Sequence, residues 1–261
     1  MDRDLQYWDS IYKTFKKNSA HSLWRSHSDS VNMALLDRWL PQGKTGCLLK
    51  TDLFDEAASN GMHPFLMTRA GDITGIDISP LIVKAARKAH HDLKGTAADV
   101  RCLPFQDNTF DAIISISTLD HFASRDEIID SLREFHRVLK KGGRLILTLD
   151  NLMNPVIALR AVLPFGLLKR AGIVPYYVGA TAGPGYLRRI LGLTGFEVIN
   201  TDAVMHCPRV LAVALARILK RHAGRDAQRL FLRSLMAFEH LSRLPTRFLT
   251  GHFTAIKAVK S

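Results

Sequence analysis

Apolar and polar residues alternate along the first 150 residues in a pattern that predicts strands separated by helices. Apolar side chains recur at helical spacing from Trp24 to Leu40 and stop at Pro41, which is typical of a helix that leads into a core. Short aliphatic and β-branched runs predict buried strands. The predicted strands are 47–49, 73–78, 95–100, 110–117 and 144–149, and the other predicted helices are 81–91 and 126–139. This alternation indicates an α/β fold whose parallel sheet is covered on both faces.

The pattern changes after Asp150. In order, the sequence predicts a segment at 154–168 that is apolar nearly all round, a connection rich in glycine, proline and tyrosine at 172–185, a helix at 186–193, a strand at 195–199, a helical block at 208–245 broken at Gly224, and a last strand at 253–259. There are no internal repeats and no low-complexity linker. The helical segments on either side of the 186–199 unit are therefore predicted to be insertions into the sheet framework.

Composition restricts the protein class. The chain has 261 residues, of which 47% are hydrophobic and 23% charged, as expected of a soluble globular protein. Cys47, Cys102 and Cys207 are scattered and never form a CxxC spacing, which argues against a disulfide framework or a thiolate zinc site and favours a reducing cytoplasm. The first residues are charged and lack the apolar stretch of a secretory signal. No uncharged apolar run approaches the roughly 20 residues that span a bilayer, so an integral membrane protein is not expected.

Charge is distributed unevenly along the chain. Residues 1–150 hold 20 Lys plus Arg and 20 Asp plus Glu, whereas residues 151–261 hold 16 and 4. The asymmetry predicts a neutral catalytic or binding core and a basic C-terminal part that contacts something anionic. The alternative is a solvated basic surface that only aids solubility.

Asp77 is the first candidate for chemistry, because open parallel sheets bind ligands at the carboxyl ends of their strands. A carboxylate that ends the second strand of such a sheet can accept both hydroxyls of a ribose. The residue precedes Ser79-Pro80, so it is equally consistent with an ordinary helix start.

Three segments place Asp77 in a family context: Ile73-Thr-Gly-Ile-Asp-Ile-Ser-Pro80, Ala98-Asp-Val-Arg-Cys-Leu-Pro-Phe-Gln-Asp-Asn-Thr-Phe-Asp-Ala-Ile-Ile114 and Leu132-Arg-Glu-Phe-His-Arg-Val-Leu-Lys-Lys-Gly-Gly-Arg-Leu145. Their order and spacing resemble the class I S-adenosylmethionine-dependent methyltransferases, in particular type 11-like members. The resemblance is close over residues 46–150 and looser beyond. It implies a Rossmann-like, doubly wound, seven-stranded sheet, mostly parallel with an antiparallel last strand, and S-adenosyl-L-methionine as the cofactor.

The same resemblance implies roles for particular residues. Asp77, with Ile78 beside it, would hold the ribose, Asp99 would hydrogen-bond the adenine amino group, and Val100 would pack on the adenine ring. The segment Ser115–His121, and Ser117 within it, would border the methyl group and the substrate.

The loop after the first strand departs from the family. Where the family has an acid followed by a G-x-G-x-G loop, this chain has Leu49-Lys-Thr-Asp-Leu-Phe-Asp-Glu-Ala57, with Lys50 at the acid. Glycines allow a backbone to approach a ligand closely, so the loop must follow another path or bind the cofactor differently. We expect it, including Lys50 and Thr51, to retain the cofactor, with Asp52, Asp55 and Glu56 facing the ammonium and the sulfonium. The alternatives are that these acids cap the next helix or hold a divalent metal, although no metal site is predicted.

His121 and Asp120, just past the fourth strand, are the candidate catalytic residues. Methyl transfer needs alignment of a nucleophile, plus a base when the nucleophile must lose a proton, and histidine as a residue type titrates near neutrality. Asp120 would orient His121 or act in its place; alternatively the two form only a hydrogen-bonded loop pair. The Asn/Asp-Pro-Pro-Tyr segment of amino-methylating nucleic-acid enzymes is missing after this strand, which argues against base methylation.

The two insertions are expected to form helical lids at the ligand-binding edge. The apolar first insertion beside the basic, amphipathic second one suits a hydrophobic or amphiphilic small-molecule acceptor, lipid- or quinone-like, held near an anionic membrane surface. The protein would then be cytoplasmic, and its membrane-associated form would be peripheral to the inner face of the membrane. Alternatives are an RNA methyltransferase that uses the basic face for phosphates, and a non-catalytic scaffold that keeps the fold.

The predicted organisation follows from these assignments. It comprises N-terminal helices at 1–45, the cofactor-binding half of the core at 46–150, the apolar insertion as a substrate lid at 151–185, a core helix and strand at 186–205, the basic helical insertion at 206–250, and the final core strand at 251–261.

Overall fold

The computed structural model describes residues 2–16, 22–170, 174 and 177–261, with the side chains of all of these except 2–4 and 16. Seven strands lie in one sheet: β1 (Thr45–Lys50), β2 (Ala70–Asp77), β3 (Lys94–Ala97), β4 (Phe110–Ile116), β5 (Leu139–Asp150), β6 (Phe196–Val204) and β7 (Phe253–Lys260). Their order across the sheet is β3-β2-β1-β4-β5-β7-β6. All neighbouring pairs among the first five strands are parallel, and β7 is antiparallel to both β5 and β6. The predicted mixed α/β sheet with a reversed last strand is confirmed.

Helices cover both faces of this sheet. They are α1 (Asp2–Lys16), α2 (Ser22–Trp39), α3 (Phe54–Ala58), α4 (His63–Arg69), α5 (Pro80–Ala89), α6 (Arg125–Val138), α7 (Pro155–Val162), α8 (Phe165–Arg170), α9 (Pro184–Leu193), α10 (Arg209–His222), α11 (Arg225–Ala237) and α12 (Arg247–Thr250), with 3₁₀ turns at Leu119–His121 and Phe238–Arg243. Successive residues of β1 point to opposite faces, so Leu48 joins the core beneath α2 and Leu49 joins the core beneath α6. Two cores therefore hold the sheet between helical layers.

Helix starts follow the local sequence. The side chain of Ser79 accepts a hydrogen bond from Ile82 N, and Pro80 occupies the first position of α5. Ser124 and Glu127 form a reciprocal capping box at α6. Both arrangements satisfy amide groups that have no partner within the helix, which fixes where each helix leaves the carboxyl edge of the sheet.

The observed bounds of several strands differ from those predicted. β2 begins at Ala70 rather than 73, and β6 ends at Val204 rather than 199. β5 begins at Leu139 rather than 144, because Leu139 pairs with Phe110 before an irregularity shifts the register to Ala112 and Arg144. Gly142 adopts a positive φ of 73° within this irregular segment. β3 ends at Ala97, so Asp99 lies beyond the strand, where it faces the ligand edge. The 172–185 connection lies partly outside the described residues.

Candidate active site

A cavity of about 550 Å³ opens beside the carboxyl ends of β1, β2 and β4. Seven residues selected from the sequence line it: Thr51, Asp52, Asp77, Ile78, Asp99, Val100 and His121. Five others do not line it: Lys50, Asp55, Glu56, Ser117 and Asp120. The structure therefore brings together the residues expected to hold the nucleoside of the cofactor and the candidate general base His121. Lys50 and Glu56 lie behind them.

Asp77 ends β2 and is 8% exposed. Its Oδ1 accepts a hydrogen bond from Ser79 N at 2.9 Å, and its Oδ2 accepts one from Leu53 N at 3.2 Å. A carboxylate has about four lone-pair sites, so Asp77 keeps acceptor capacity toward the cavity that it lines. Burial, reinforced by the nearby Asp52 carboxylate, raises the pKa of Asp77 to about 8. A ligand that donates hydroxyl hydrogens or carries positive charge would stabilise its ionised form.

A buried ion pair shapes the glycine-free loop. Lys50 Nζ lies 2.8 Å from Glu56 Oε2 and also donates to the carbonyl oxygen of Asp52. The fully buried Glu56 accepts a hydrogen bond from Met62 N at 3.1 Å. A Cβ on Gly61, whose φ is +53°, would lie 2.7 Å from the Glu56 carboxylate. The loop and the Lys50–Glu56 pair therefore pack closely together. The glycine that this packing requires is Gly61, which follows the loop.

The charged side chains of the loop differ in their partners and in their pKa shifts. Burial alone would lower the pKa of the Lys50 ammonium, but the Glu56 and Asp52 carboxylates outweigh burial and raise it. Burial also raises the pKa of Asp52, against the opposing effect of Lys50. Asp55 points away, 3.8 Å from the Arg25 guanidinium. Of the three acids proposed to serve the cationic end of the cofactor, only Asp52 lines the cavity.

Asp99 is engaged by a residue that the sequence argument did not select. Arg101 donates to both carboxylate oxygens of Asp99, at 3.0 and 3.1 Å from Nε and at 2.6 Å from Nη2. Arg101 also pairs with Glu127 and stacks over the Phe122 ring at 4.9 Å. Burial would raise the pKa of Asp99, but the bonds from Arg101 lower it overall. Asp99 is therefore an ionised acceptor that an adenine amino group would have to share with Arg101.

His121 is oriented by a backbone carbonyl. Its Nδ1 lies 3.1 Å from Tyr177 O, and since a carbonyl can only accept, Nδ1 carries the proton and the lone pair is on Nε2. Asp120 Oδ1 is 3.9 Å from Nε2, beyond hydrogen-bond distance. Ser117, held at a φ of +49°, donates to Asp120 Oδ2 at 2.8 Å. Asp120 Oδ1 is buried and has no hydrogen-bond partner among the described residues.

Aromatic residues that the sequence argument missed complete the cavity wall. Tyr7 and Trp8 of α1 lie opposite Phe165 and Tyr177 of the first insertion. Tyr177 N donates to Tyr7 Oη at 2.5 Å, and the Trp8 and His121 rings meet edge to face at 4.7 Å. The adjacent aromatic pair Tyr7-Trp8 in an amphipathic segment was the available signal, but nothing local indicates that α1 reaches across to residues 165–177.

The second insertion occupies a different position. No residue of 206–250, a segment the structure describes throughout, lines the cavity. Instead, α10 and α11 lie against α2. Of the two insertions, only the first contributes described residues, Phe165 and Tyr177, to the cavity lining.

The charges of the described residues that line the cavity complement those of S-adenosylmethionine. The lining contains four carboxylates, those of Asp52, Asp77, Asp99 and Glu127, and one guanidinium, that of Arg101. S-adenosylmethionine carries an ammonium and a sulfonium, and aromatic faces also attract cations. The lining therefore fits this molecule. Within the described part of the chain, no group of three or more His, Cys, Asp or Glu side chains is arranged to hold a metal ion.

Comparisons with known proteins bear on the family and the fold of the chain. Residues 56–147 match the family model described as a methyltransferase domain. A demethylmenaquinone methyltransferase of Corynebacterium kroppenstedtii is 36% identical over 118 residues, which cover 45% of this chain and 48% of that protein. The human protein named probable tRNA methyltransferase 9B is 37% identical over 73 residues, covering 28% and 16%. The chain thus matches half or less of the length of these relatives.

Solved structures extend the likeness over most of the chain. An S-adenosylmethionine-dependent methyltransferase from Methanosarcina mazei superposes with a TM-score of 0.57 and 16% identity, covering 87% of this chain and 96% of that one. At this identity the superposition shows the shared fold. Fold, sequence motifs and family model agree: residues 56–147 match a methyltransferase domain, and the chain has the fold of solved S-adenosylmethionine-dependent methyltransferases.

Proposed function

We propose that the protein transfers a methyl group from S-adenosylmethionine to a hydrophobic or amphiphilic small molecule, lipid- or quinone-like. The observation that carries the proposal is one cavity in which Asp77, Asp99 and Asp52 lie beside an aromatic wall that includes Trp8 and Phe165. Carboxylates suit the polar, cationic cofactor, and aromatic faces suit an apolar acceptor.

On the cofactor side, three carboxylates would divide the work. Asp77 would accept the ribose hydroxyls with its remaining lone pairs, and Asp99, with Val100 beside it, would hold the adenine. Asp52, with Thr51 next to it, would face the ammonium and the sulfonium. The bound cofactor supplies an electrophilic methyl group. Lys50 and Glu56, which form a buried ion pair, would act by holding the loop that presents Asp52.

On the acceptor side, His121 would take the proton that the nucleophile loses. Its lone pair lies on Nε2 because Nδ1 is committed to Tyr177 O. The buried Asp120 carboxylate, 3.9 Å from Nε2, would stabilise the positive charge that the ring gains, since Coulomb attraction is strong where water is excluded. Ser117 would position Asp120 through its hydrogen bond.

The matched relatives support two classes of acceptor, a quinone-like molecule and RNA. The demethylmenaquinone methyltransferase match supports a quinone-like acceptor, which would require access to a membrane, so we include peripheral attachment to an anionic membrane surface in the proposal. The tRNA methyltransferase match and the basic second insertion support RNA as the second candidate. A non-catalytic scaffold would bind neither methyl donor nor acceptor.

Calorimetry with S-adenosylmethionine tests the proposal, using the variant Asp77→Ala. Loss of a hydrogen-bond acceptor that is charged costs roughly 1.5 to 3 kcal/mol, so affinity should fall about ten- to a hundred-fold. The matched control is Asp107→Ala, which removes an exposed carboxylate away from the cavity. Unchanged affinity in a folded Asp77→Ala protein would refute the cofactor assignment, and methylation of RNA rather than a demethylated quinone would favour the second candidate.

A further inference from the structure

Two helices near the carboxyl edge of the sheet expose large apolar side chains. On α7 these are Val156, Leu159 and Val162, the last of which is 77% exposed, and on α10 they are Val210, Leu211, Leu215 and Ile218. We name these seven residues the apolar surface. Soluble proteins scatter such residues singly and rarely group them.

Helix α10 is apolar on its exposed side as well as on its buried side. Ala212 and Ala216 are buried on the side packed toward α2, and the partly buried Val213 and Leu219 pack against the same core. The large residues Leu211, Leu215 and Ile218 of α10, spaced four and three apart and so on one face, are exposed. A helix that only completed the core would bury its large side chains and expose its small or polar ones. The exposed face of α10 is therefore suited to an apolar environment outside the protein.

A buried cluster anchors both helices at the same place. Arg160 of α7 pairs with Asp150 at the end of β5, and the Asp150 carboxylate is 3.4 Å from His252 Nε2. Arg209, the first residue of α10, donates to His252 Nε2 at 2.6 Å. Burial, with Arg209 adding to it, lowers the pKa of His252, so this ring is a neutral acceptor. Both parts of the apolar surface are thus fixed to the carboxyl end of the sheet.

Positive charge flanks the apolar residues. Arg217, Lys220 and Arg221 are exposed on α10, and none forms an ion pair with another described residue. Residues 206–250 contain nine Lys plus Arg and two Asp plus Glu. One of the two acids, Glu239, is occupied by the amides of Met205 and His206. The cations near the apolar surface are available to an anionic partner.

We propose that the apolar surface docks on an anionic lipid bilayer, with Leu211, Leu215 and Ile218 entering the interface and Arg217, Lys220 and Arg221 contacting lipid headgroups. An apolar helical face with cations along its border matches the anionic membrane surface. RNA would match the cations but not the exposed aliphatic side chains, and a second copy would bring like charges together.

This inference deepens the proposed function, and the path of the acceptor follows from it. α8 comes directly after α7 and contributes Phe165 to the cavity wall, while Leu167 on the same helix is exposed. An acceptor dissolved in the bilayer could therefore pass from the apolar surface to the site along the first insertion.

Co-sedimentation with phosphatidylcholine vesicles, with and without phosphatidylglycerol, tests the surface. The triple variant Leu211→Gln, Leu215→Gln, Ile218→Gln should lower partitioning onto anionic vesicles by about tenfold or more. The control Leu193→Gln, Ile199→Gln, Leu230→Gln alters three exposed aliphatic residues outside α7 and α10 and should bind like wild type.

Co-sedimentation with the same vesicles also tests the contribution of the positive charges on α10. Lys220→Gln, Arg221→Gln should weaken binding to anionic vesicles about tenfold or more, whereas Lys84→Gln, Lys88→Gln on α5 should leave it unchanged. Failure of the wild type to bind anionic vesicles at low salt overturns the proposal, as does equal loss in the test and control variants. The proposal is also overturned if light scattering shows that the apolar surface mediates self-association. It is overturned as well if the protein binds RNA and the apolar variant weakens that binding.

Calorimetry with S-adenosylhomocysteine on the same variants keeps this inference distinct from the proposed function. Retained cofactor affinity with lost vesicle binding supports the docking surface. Retained vesicle binding in a wild-type protein that binds no cofactor would refute the proposed function and leave the surface standing.

Discussion

Lys50 and Glu56 form the least expected contact in the site, and their burial makes it sensitive to single substitutions. The two side chains are 6% and 0% exposed and lie 2.8 Å apart. Glu56→Gln would leave the buried ammonium without its counter-charge, which typically costs about 3 to 5 kcal/mol. We expect urea unfolding to show a destabilisation of this size.

The double variant Lys50→Met, Glu56→Met is the control for this prediction. Replacing both partners with apolar residues of similar volume is often neutral, so its free energy of unfolding should be close to that of the wild type. If the changes in unfolding free energy caused by Lys50→Met and by Glu56→Met alone added up to that of the double variant, the ion pair would not be the source of the effect.

We expect Asp77 to make cofactor binding dependent on pH. Its pKa in the folded protein is about 8, against about 4 in an unfolded chain, so the folded state holds a proton that the unfolded state loses. The stability that this proton contributes is full below about pH 4 and is lost as pH rises toward 8. A cofactor that hydrogen-bonds the carboxylate should displace the proton and bind more tightly at pH 8 than at pH 6.

Calorimetry at pH 7 in buffers of different ionisation enthalpy measures this proton release directly. The wild type should release a proton on binding S-adenosylmethionine, and Asp77→Asn should release less. A binding enthalpy independent of buffer would contradict the raised pKa of Asp77.

At the scale of elements, α1 and the first insertion close the cavity together. Tyr7 Oη accepts the hydrogen bond of Tyr177 N, and Tyr177 O in turn orients His121. Tyr7→Phe removes an acceptor without removing the ring. A neutral hydrogen bond contributes about 1 kcal/mol, so release of S-adenosylhomocysteine, followed by stopped-flow, should become about fivefold faster.

A matched substitution on the same helix separates closure from helix stability. Ser10→Ala removes a hydroxyl of α1 that donates to Tyr7 O and leaves the contact with Tyr177 in place. Its release rate should match that of the wild type. Equal acceleration in both variants would mean that α1 acts through its general stability rather than through the Tyr7 contact.

For the whole molecule, the proposed docking on an anionic membrane should depend on the uneven distribution of charge along the chain. The excess positive charge lies entirely in residues 151–261. Electrostatic attraction is screened over about 8 to 10 Å at physiological ionic strength, so partitioning of the wild type onto phosphatidylglycerol vesicles should fall as salt rises. The weaker binding to pure phosphatidylcholine should change little. A salt-independent partition onto both would indicate that apolar contact alone drives the association.

Local pattern was sufficient for much of the framework. Strand alternation, the Ser79-Pro80 helix start and the carboxylate Asp77 were predictable because strand period, capping and position after a strand are properties of neighbouring residues. Asp99 was selected through the family resemblance, because the local pattern placed it inside the predicted strand 95–100. The sheet carries these residues to one edge by its topology. Their gathering at the cavity follows from β1, β2 and β4 being parallel neighbours or near neighbours.

Only the tertiary structure decided the contacts between distant segments. The sequence shows Lys50 in place of an acid but not that Glu56 turns inward to neutralise it. It also shows two insertions, but not that the first meets α1 at Tyr7 while the second packs on α2 and turns Leu211, Leu215 and Ile218 outward. The physical reason is that periodicity specifies which face of a helix is apolar, whereas the choice between core, partner and solvent depends on what surface the rest of the chain leaves to be covered.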